Sequence, residues 1–273
     1  MFYLRPDFAA TLPEHERTLD RILAIDGVPY REMNGRRTIR FMHVGKPYFL
    51  KTHIGVGWKE IFKNLIQLRL PVVSARREWN AIHRLAALEI DTVKPVGYGC
   101  QGRNPARLKS FLISEDLGDT VTLEEILLRW KKDGFMSRPD IALKRWALKR
   151  IATIARSMHD NGITHRDFYL CHLRMDASHF VVPSSDTMPR IYVMDLHRAQ
   201  LRNRRPLRRW VVKDLGELYF SAMNLGITTR DRCRFVQAYS GLALRNALSS
   251  QQRFWRKVEA RAFRLFRKVH DRP

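Results

Sequence analysis

The tightest constraint on this chain is the order of four charged residues along it, each at an element boundary or on a helix. A strand-like run, Tyr48-Phe49-Leu50-Lys51, ends on a lysine, and a helical stretch downstream carries Glu78. The run Ile163-Thr164-His165-Arg166-Asp167 follows a long helix and precedes a strand, and Val193-Met194-Asp195 closes a later strand on a carboxylate. Taken singly, two of these have bland explanations. A lysine at a strand end is commonly solvated, and Glu78 in Arg76-Arg77-Glu78 reads as half of a surface ion pair. Asp195 is harder to dismiss, because it stands between Val193-Met194 and Leu196, where a carboxylate is costly without a cation; Arg198 is the structural alternative.

The pattern around these residues sorts into two halves. Residues 28–33, 38–44 and 47–51 read as strands of an antiparallel meander with an Asn34-Gly35 turn, and 93–98 and 109–115 as further strands. Between them, 58–70 is a basic amphipathic helix in which Ile61, Phe62, Leu65, Ile66 and Leu68 recur among Lys59, Lys63 and Arg69, and 75–88 is a second helix. Thr122 with Glu125 forms a capping box ahead of Ile126-Leu127-Leu128. Residues 131–139 then read as a loop, and Asp140 as the cap of a long helix with an apolar stripe from Ile141 to Met158, stopped at Asn161-Gly162. Runs 179–182 and 191–194 are β-rich and flank a Pro-Ser-Ser-Asp turn. The rest is helical, ending in an amphipathic helix over 251–270 with Trp255, Val258, Ala262, Leu265, Phe266 and Val269 on one face and Arg253, Lys257, Arg264 and Lys268 on the others. The expected fold class is α+β: an N-terminal antiparallel sheet lobe with helices over 1–115 and a mainly helical C-terminal lobe over 116–273.

Composition narrows the partners. A chain of 273 residues with 45% apolar content supports a real core, while a formal charge of +23 favours polyanionic partners. No apolar run approaches the roughly 20 residues needed to cross a bilayer, and no secretory signal opens the sequence, so any membrane association is expected to be peripheral. Cys100, Cys171 and Cys233 are widely spaced and suggest neither a disulfide framework nor zinc, which fits a reducing cytoplasm. No helix-turn-helix, RNP or zinc-finger pattern accompanies the arginines, so a specific nucleic-acid partner is not expected.

Ile163 to Asp167 resembles the catalytic loop of protein kinases, and the four ordered residues then acquire roles in phosphoryl transfer. Lys51 holds the α and β phosphates of ATP and is anchored by Glu78. Asp195 binds Mg²⁺ through hard carboxylate oxygen. Asp167 orients the attacking hydroxyl, with His165 and Arg166 of the same loop in the catalytic set. Three departures stand out. His172 occupies the place of a metal-binding Asn; it is set beside Asp195 at the metal, with action through water, contact with phosphate as a cation, or a structural role all open. Asp195 is followed by Leu-His, not Phe-Gly, and no glycine-rich loop is present. Arg36 and Arg37 stand in that loop's place, and with Glu115 and Leu117 at the lobe boundary they complete the expected nucleotide contacts.

Longer runs carry a closer resemblance. Arg36-Arg37-Thr38-Ile39-Arg40-Phe41, Arg77-Glu78-Trp79-Asn80-Ala81-Ile82-His83-Arg84-Leu85, Cys171-His172, Met194-Asp195-Leu196-His197-Arg198-Ala199-Gln200 and Lys213-Asp214-Leu215 are similar to the lipopolysaccharide core heptose(I) kinase (WaaP/RfaP) family over nearly the whole chain. The resemblance implies a protein-kinase-like bilobal fold, ATP with Mg²⁺, and phosphorylation, at O4, of the first heptose of the lipopolysaccharide inner core at the cytoplasmic face of the inner membrane. In this family His172 is no departure, and tyrosine phosphorylation is a secondary activity. The acceptor and an anionic membrane surface are the implied partners. Other readings are a small-molecule or protein kinase of the same fold, or a basic scaffold that binds polyanions or recruits an acidic protein such as an acyl carrier protein.

Overall fold

The computed structural model describes residues 1–33, 35–66, 71–177 and 189–270. Within them the chain forms two compact units: Met1–Arg84 with Val93–Gly118 and Leu196–Arg198, and Leu85–Thr92 with Asp119–Asp195 and Ala199–Pro273.

The first unit is built on a six-stranded sheet. In chain order its strands are β1 (Phe2–Leu4), β2 (Val28–Met33), β3 (Arg36–His43), β4 (Lys46–Ile54), β5 (Pro95–Gln101) and β6 (Lys109–Glu115), arranged β1-β5-β6-β4-β3-β2 with every pairing antiparallel. Alternation along β4 buries Tyr48, Leu50 and Thr52 and turns Lys51 to the other face. Leu50 joins Phe8, Ile22, Ile39, Val96, Phe111 and Ile113 in the core of this unit. Phe8 and Ile22 come from short helices, α1 (Pro6–Ala10) and α2 (Leu19–Leu23), in a stretch whose sequence shows no strong period. The two anticipated helices are present as α3 (Gly57–Ile66) and α4 (Arg76–Ala86); residues 67–70 of the expected first helix lie outside the described residues.

The second unit contains a long helix, α6 (Arg138–Asp160), and the helices Arg208–Ala222, Thr229–Ser240 and Gln252–His270. The Thr122 capping box starts α5 (Leu123–Asp133) as expected. The start of α6 differs from the sequence reading. Ser137 is the N-cap and Asp140 is the third helical residue, with Ser137 Oγ accepting from Asp140 N at 3.2 Å and the Asp140 carboxylate accepting from Ser137 N at 3.0 Å. Pro139 does not prevent this, because the first helical turn has no intrahelical use for its missing N–H. At the other end Gly162 has φ 80° and its carbonyl accepts from Arg202 N at 3.0 Å; a Cβ there would strike the carbonyl of Arg202. That close approach pairs Ile163–Thr164 with Gln200–Leu201 and fixes where the loop beyond them begins. A three-stranded sheet combines Thr120–Thr122, Leu173–Asp176 and Ile191–Val193. The expected strand at 179–182 and its turn lie outside the described residues.

Candidate active site

In the first unit, Lys51 on β4 reaches Glu78 on α4, with Nζ 2.5 Å from Oε1. Glu78 is buried, and its second oxygen, Oε2, has no hydrogen-bond partner among the described residues. A buried carboxylate with one oxygen given to an ammonium holds that ammonium at a fixed point on the sheet. Arg36 is half-buried, donates to the Val72 carbonyl at 2.6 Å, and lies opposite His53 in the β3–β4 register. Burial, reinforced by the charges of Arg36, His197 and Lys51, pushes His53 down to about 3, so this imidazole is neutral at physiological pH. Arg37 pairs with the exposed Asp26 at 2.5 Å, and the Glu115 carboxylate accepts from Arg5 at 2.7 Å. Leu117 is partly buried just beyond β6.

In the second unit the residues expected to form the catalytic loop are organised by an acid to which the sequence assigns no role. Asp214, fully buried in the helix Arg208–Ala222, accepts from His165 N at 2.8 Å and from Arg166 N at 2.9 Å. His159 Nε2 stands 3.3 Å from the same carboxylate. Burial alone would raise Asp214, but the hydrogen bond from His159, the imidazole charges and the backbone N–H groups outweigh it and hold the group below the usual carboxylate range. The His165 ring, fully buried and pushed down by that burial, has Nε2 2.8 Å from the Met194 carbonyl, which defines Nε2 as the protonated nitrogen of a neutral imidazole. The bond ties the loop to the residue preceding Asp195.

Arg166 and Asp195 both have left-handed backbone conformations, φ 77° and 57°. Strain of this kind in non-glycine residues persists only where surrounding bonds over-determine it. For Arg166 those bonds are its N–H to Asp214, its carbonyl accepting from Lys213 Nζ, and its guanidinium 3.6 Å above the Trp210 ring. Lys213 Nζ also sits 2.7 Å from Glu217 Oε2 and 3.8 Å from Asp167 Oδ1. His172 spans the two expected catalytic carboxylates: Nδ1 is 2.7 Å from the Asp167 carbonyl and Nε2 is 3.5 Å from Asp195 Oδ2. Burial lowers it, but Cys171, the Asp167 carbonyl and Asp195 together push it up to about 9, which makes His172 an imidazolium at neutral pH.

Thus Lys51 meets Glu78 in one unit, and His165, Arg166, Asp167, His172 and Asp195 cluster in the other. Asp214, Lys213 and Glu217 are additional members. Their signal in the sequence is slight: two acids three residues apart within an apolar helical stretch, with a lysine four residues before the second. Among the described residues no group of three or more His, Cys, Asp or Glu could hold a metal ion.

An antiparallel sheet unit whose strand lysine pairs with a helical glutamate, and a helical unit with a buried acid under a His-Arg-Asp loop, are the parts of a kinase-like phosphotransferase. The sequence profile of the lipopolysaccharide kinase (Kdo/WaaP) family matches residues 20–239, and the chain belongs to that family. It is 44% identical over 265 residues to a lipopolysaccharide core heptose(I) kinase WaaP of Escherichia coli, covering 97% of each chain. It is 41% identical over 247 residues to a protein of the same name from Pseudomonas aeruginosa, covering 90% of this chain and 89% of the other. A solved structure described as WaaP in complex with acyl carrier protein is similar with a TM-score of 0.78 at 34% identity, covering 97% of this chain and 99% of that one. The protein is a kinase, and membership of a kinase family implies ATP as phosphoryl donor.

Proposed function

We propose that this kinase transfers the γ-phosphoryl group of ATP to O4 of the first heptose of the lipopolysaccharide inner core, at the inner face of the inner membrane. The observation that supports it most is the grouping of Asp167, Lys213, His172 and Asp195 around a loop whose His165 and Arg166 amides are held by one buried acid, joined to identity of 41–44% with kinases named for that acceptor.

Asp167 aligns the acceptor hydroxyl and takes its proton late in the transfer. Lys213 stands beside it as a fixed cation that offsets charge on the transferred group, a task suited to an ammonium already held by Glu217 and the Arg166 carbonyl. Lys51, held by Glu78, binds the α and β phosphates, and Arg36 and Arg37 cover them. The nucleotide base is assigned to the main chain of Glu115 to Leu117, since the Glu115 carboxylate is engaged by Arg5. For magnesium the fit rests on Asp195, whose partly exposed carboxylate offers hard oxygen. Bound there, the ion would neutralise phosphate oxygens. His172 is suited to positioning: Nδ1 stands 2.7 Å from the Asp167 carbonyl and Nε2 3.5 Å from Asp195 Oδ2, so the ring bridges the two residues.

The acceptor is tested by ATP-dependent phosphate incorporation into lipopolysaccharide with and without inner-core heptose. Label confined to the heptose-containing acceptor, at O4, is expected. Equal labelling of both would remove the heptose assignment.

An acyl carrier protein is the proposed protein partner. The helix Gln252–His270 exposes Arg253, Lys257, Arg264 and Lys268, which suit an acidic protein. Behind it, within the second unit, lies a cavity of about 420 Å³ lined chiefly by apolar side chains, among them Ile126, Trp130, Leu148, Phe235 and Trp255. A fatty acyl chain is the part of such a carrier that an apolar cavity would take. Carrier loaded with a long acyl chain is expected to raise the thermal midpoint and unloaded carrier to leave it unchanged; an equal effect of the two would contradict a role for the cavity.

A further inference from the structure

On an ideal helix, 100° per residue places Leu65, Trp58, Phe62 and Ile66 side by side on an arc of about 100°. All four are exposed, at 47%, 50%, 56% and 83%. The arc is therefore not the face by which α3 packs. That face carries Ile61, buried with Val56 and Ala106. Lys59 and Lys63 border the arc on its Ile66 side, both exposed, and the Trp58 and Phe62 rings lie 5.8 Å apart. Soluble proteins seldom present a tryptophan, a phenylalanine and two large aliphatics together without a partner for them.

We infer that α3 is the element by which this protein seats on a membrane: Trp58, Phe62, Leu65 and Ile66 enter the headgroup and acyl boundary of an anionic leaflet while Lys59 and Lys63 meet its phosphates. The chemistry of the patch selects this occupant. An apolar arc with tryptophan, flanked by lysines on a short helix lying in the interface plane, matches a bilayer boundary, and a chain of net charge +23 is drawn to an anionic one. An acidic protein would answer the lysines but not four bare apolar side chains. The inference rests on the proposed acceptor being lipid-anchored, and it assigns one helix to that encounter.

The test uses the full chain with Phe62→Ser and Ile66→Ser combined, exposed positions whose replacement removes no core contact. Co-sedimentation is measured with vesicles of phosphatidylethanolamine and phosphatidylglycerol and with phosphatidylcholine vesicles. Wild type is expected to partition onto the anionic vesicles, and the variant to lose on the order of tenfold or more of that partitioning. Lys59→Gln with Lys63→Gln is expected to weaken binding to the anionic vesicles alone. Activity of the Phe62/Ile66 variant should fall on acceptor embedded in vesicles and persist on delipidated, soluble acceptor. Wild-type-like partitioning by that variant overturns the inference, as does a dimer in vesicle-free solution that the variant dissociates, since the face would then be a protein interface. If vesicle binding depends on α3 but no heptose acceptor is labelled, the inference stands and the acceptor assignment fails; with labelling intact and no wild-type vesicle binding, the reverse holds.

Discussion

Replacing Asp214 by alanine is expected to lower the thermal midpoint by on the order of 10 °C and to abolish measurable phosphoryl transfer. The side chain is fully buried and accepts from two consecutive amides, His165 N and Arg166 N, with His159 on the same oxygen as the first. Truncation leaves those amides without partners inside the protein, and each unsatisfied buried donor costs about 1–3 kcal/mol. The loss is not confined to stability. Arg166 is held at positive φ by these bonds, and Asp167 follows it directly, so the carboxylate proposed to handle the acceptor is aimed by a strained residue that Asp214 secures. Asp214→Asn separates the two effects. It keeps the volume and one acceptor but turns an NH₂ toward a backbone N–H. Its midpoint should fall by less than that of the alanine variant, while its activity should stay near zero. Midpoint by thermal melt and turnover by phosphate incorporation are the two readings, and an alanine variant with native melting and native turnover would show that the loop is fixed by other means.

The Lys51–Glu78 pair is legible from the order of the four charged residues, since each half alone has a bland explanation. The run Tyr48-Phe49-Leu50-Lys51 has strand character up to the lysine, and Glu78 sits on an amphipathic pattern whose apolar members, Ile82 and Leu85, face inward. Alternation then puts Lys51 on the face opposite Leu50, and the structure pairs it with Glu78. Asp214 was not legible in the same way. Its partners lie nearly 50 residues upstream, and nothing in Lys213-Asp214-Leu215 says which amides it will meet. The strand Leu173–Asp176 was missed although it alternates buried and half-buried residues. It is four residues long and begins directly after a 3₁₀ turn, too short for its period to stand out. The start of α6 slipped because Asp140 and Ser137 are both good capping residues, and only the pair of reciprocal bonds distinguishes the cap from the third helical position. His172 illustrates the other limit. Its place five residues after Asp167 set it at the metal, whereas its orientation follows from the Asp167 carbonyl and Asp195, which the folded backbone brings to its two nitrogens.

One consequence is a division of labour in the second unit. Asp214 holds the loop backbone, His165 links it to Met194, His172 bridges Asp167 and Asp195, and Lys213 places a cation beside Asp167. Asp167→Asn keeps the volume of the Asp167 side chain and removes its charge. That side chain is 18% exposed and the Lys213 contact is a loose 3.8 Å. Loss of a carboxylate that aligns and deprotonates the acceptor is worth roughly 10²–10⁴ in rate.

The most direct measurement is single-turnover phosphate transfer to heptose-containing lipopolysaccharide by Asp167→Asn, with ATP binding and thermal melting recorded on the same sample. The expected result is a rate reduced by about a thousandfold with ATP affinity and midpoint unchanged. Transfer at the wild-type rate, or a loss of rate that merely tracks lost nucleotide binding or unfolding, would contradict the assignment of Asp167 as the residue that handles the acceptor.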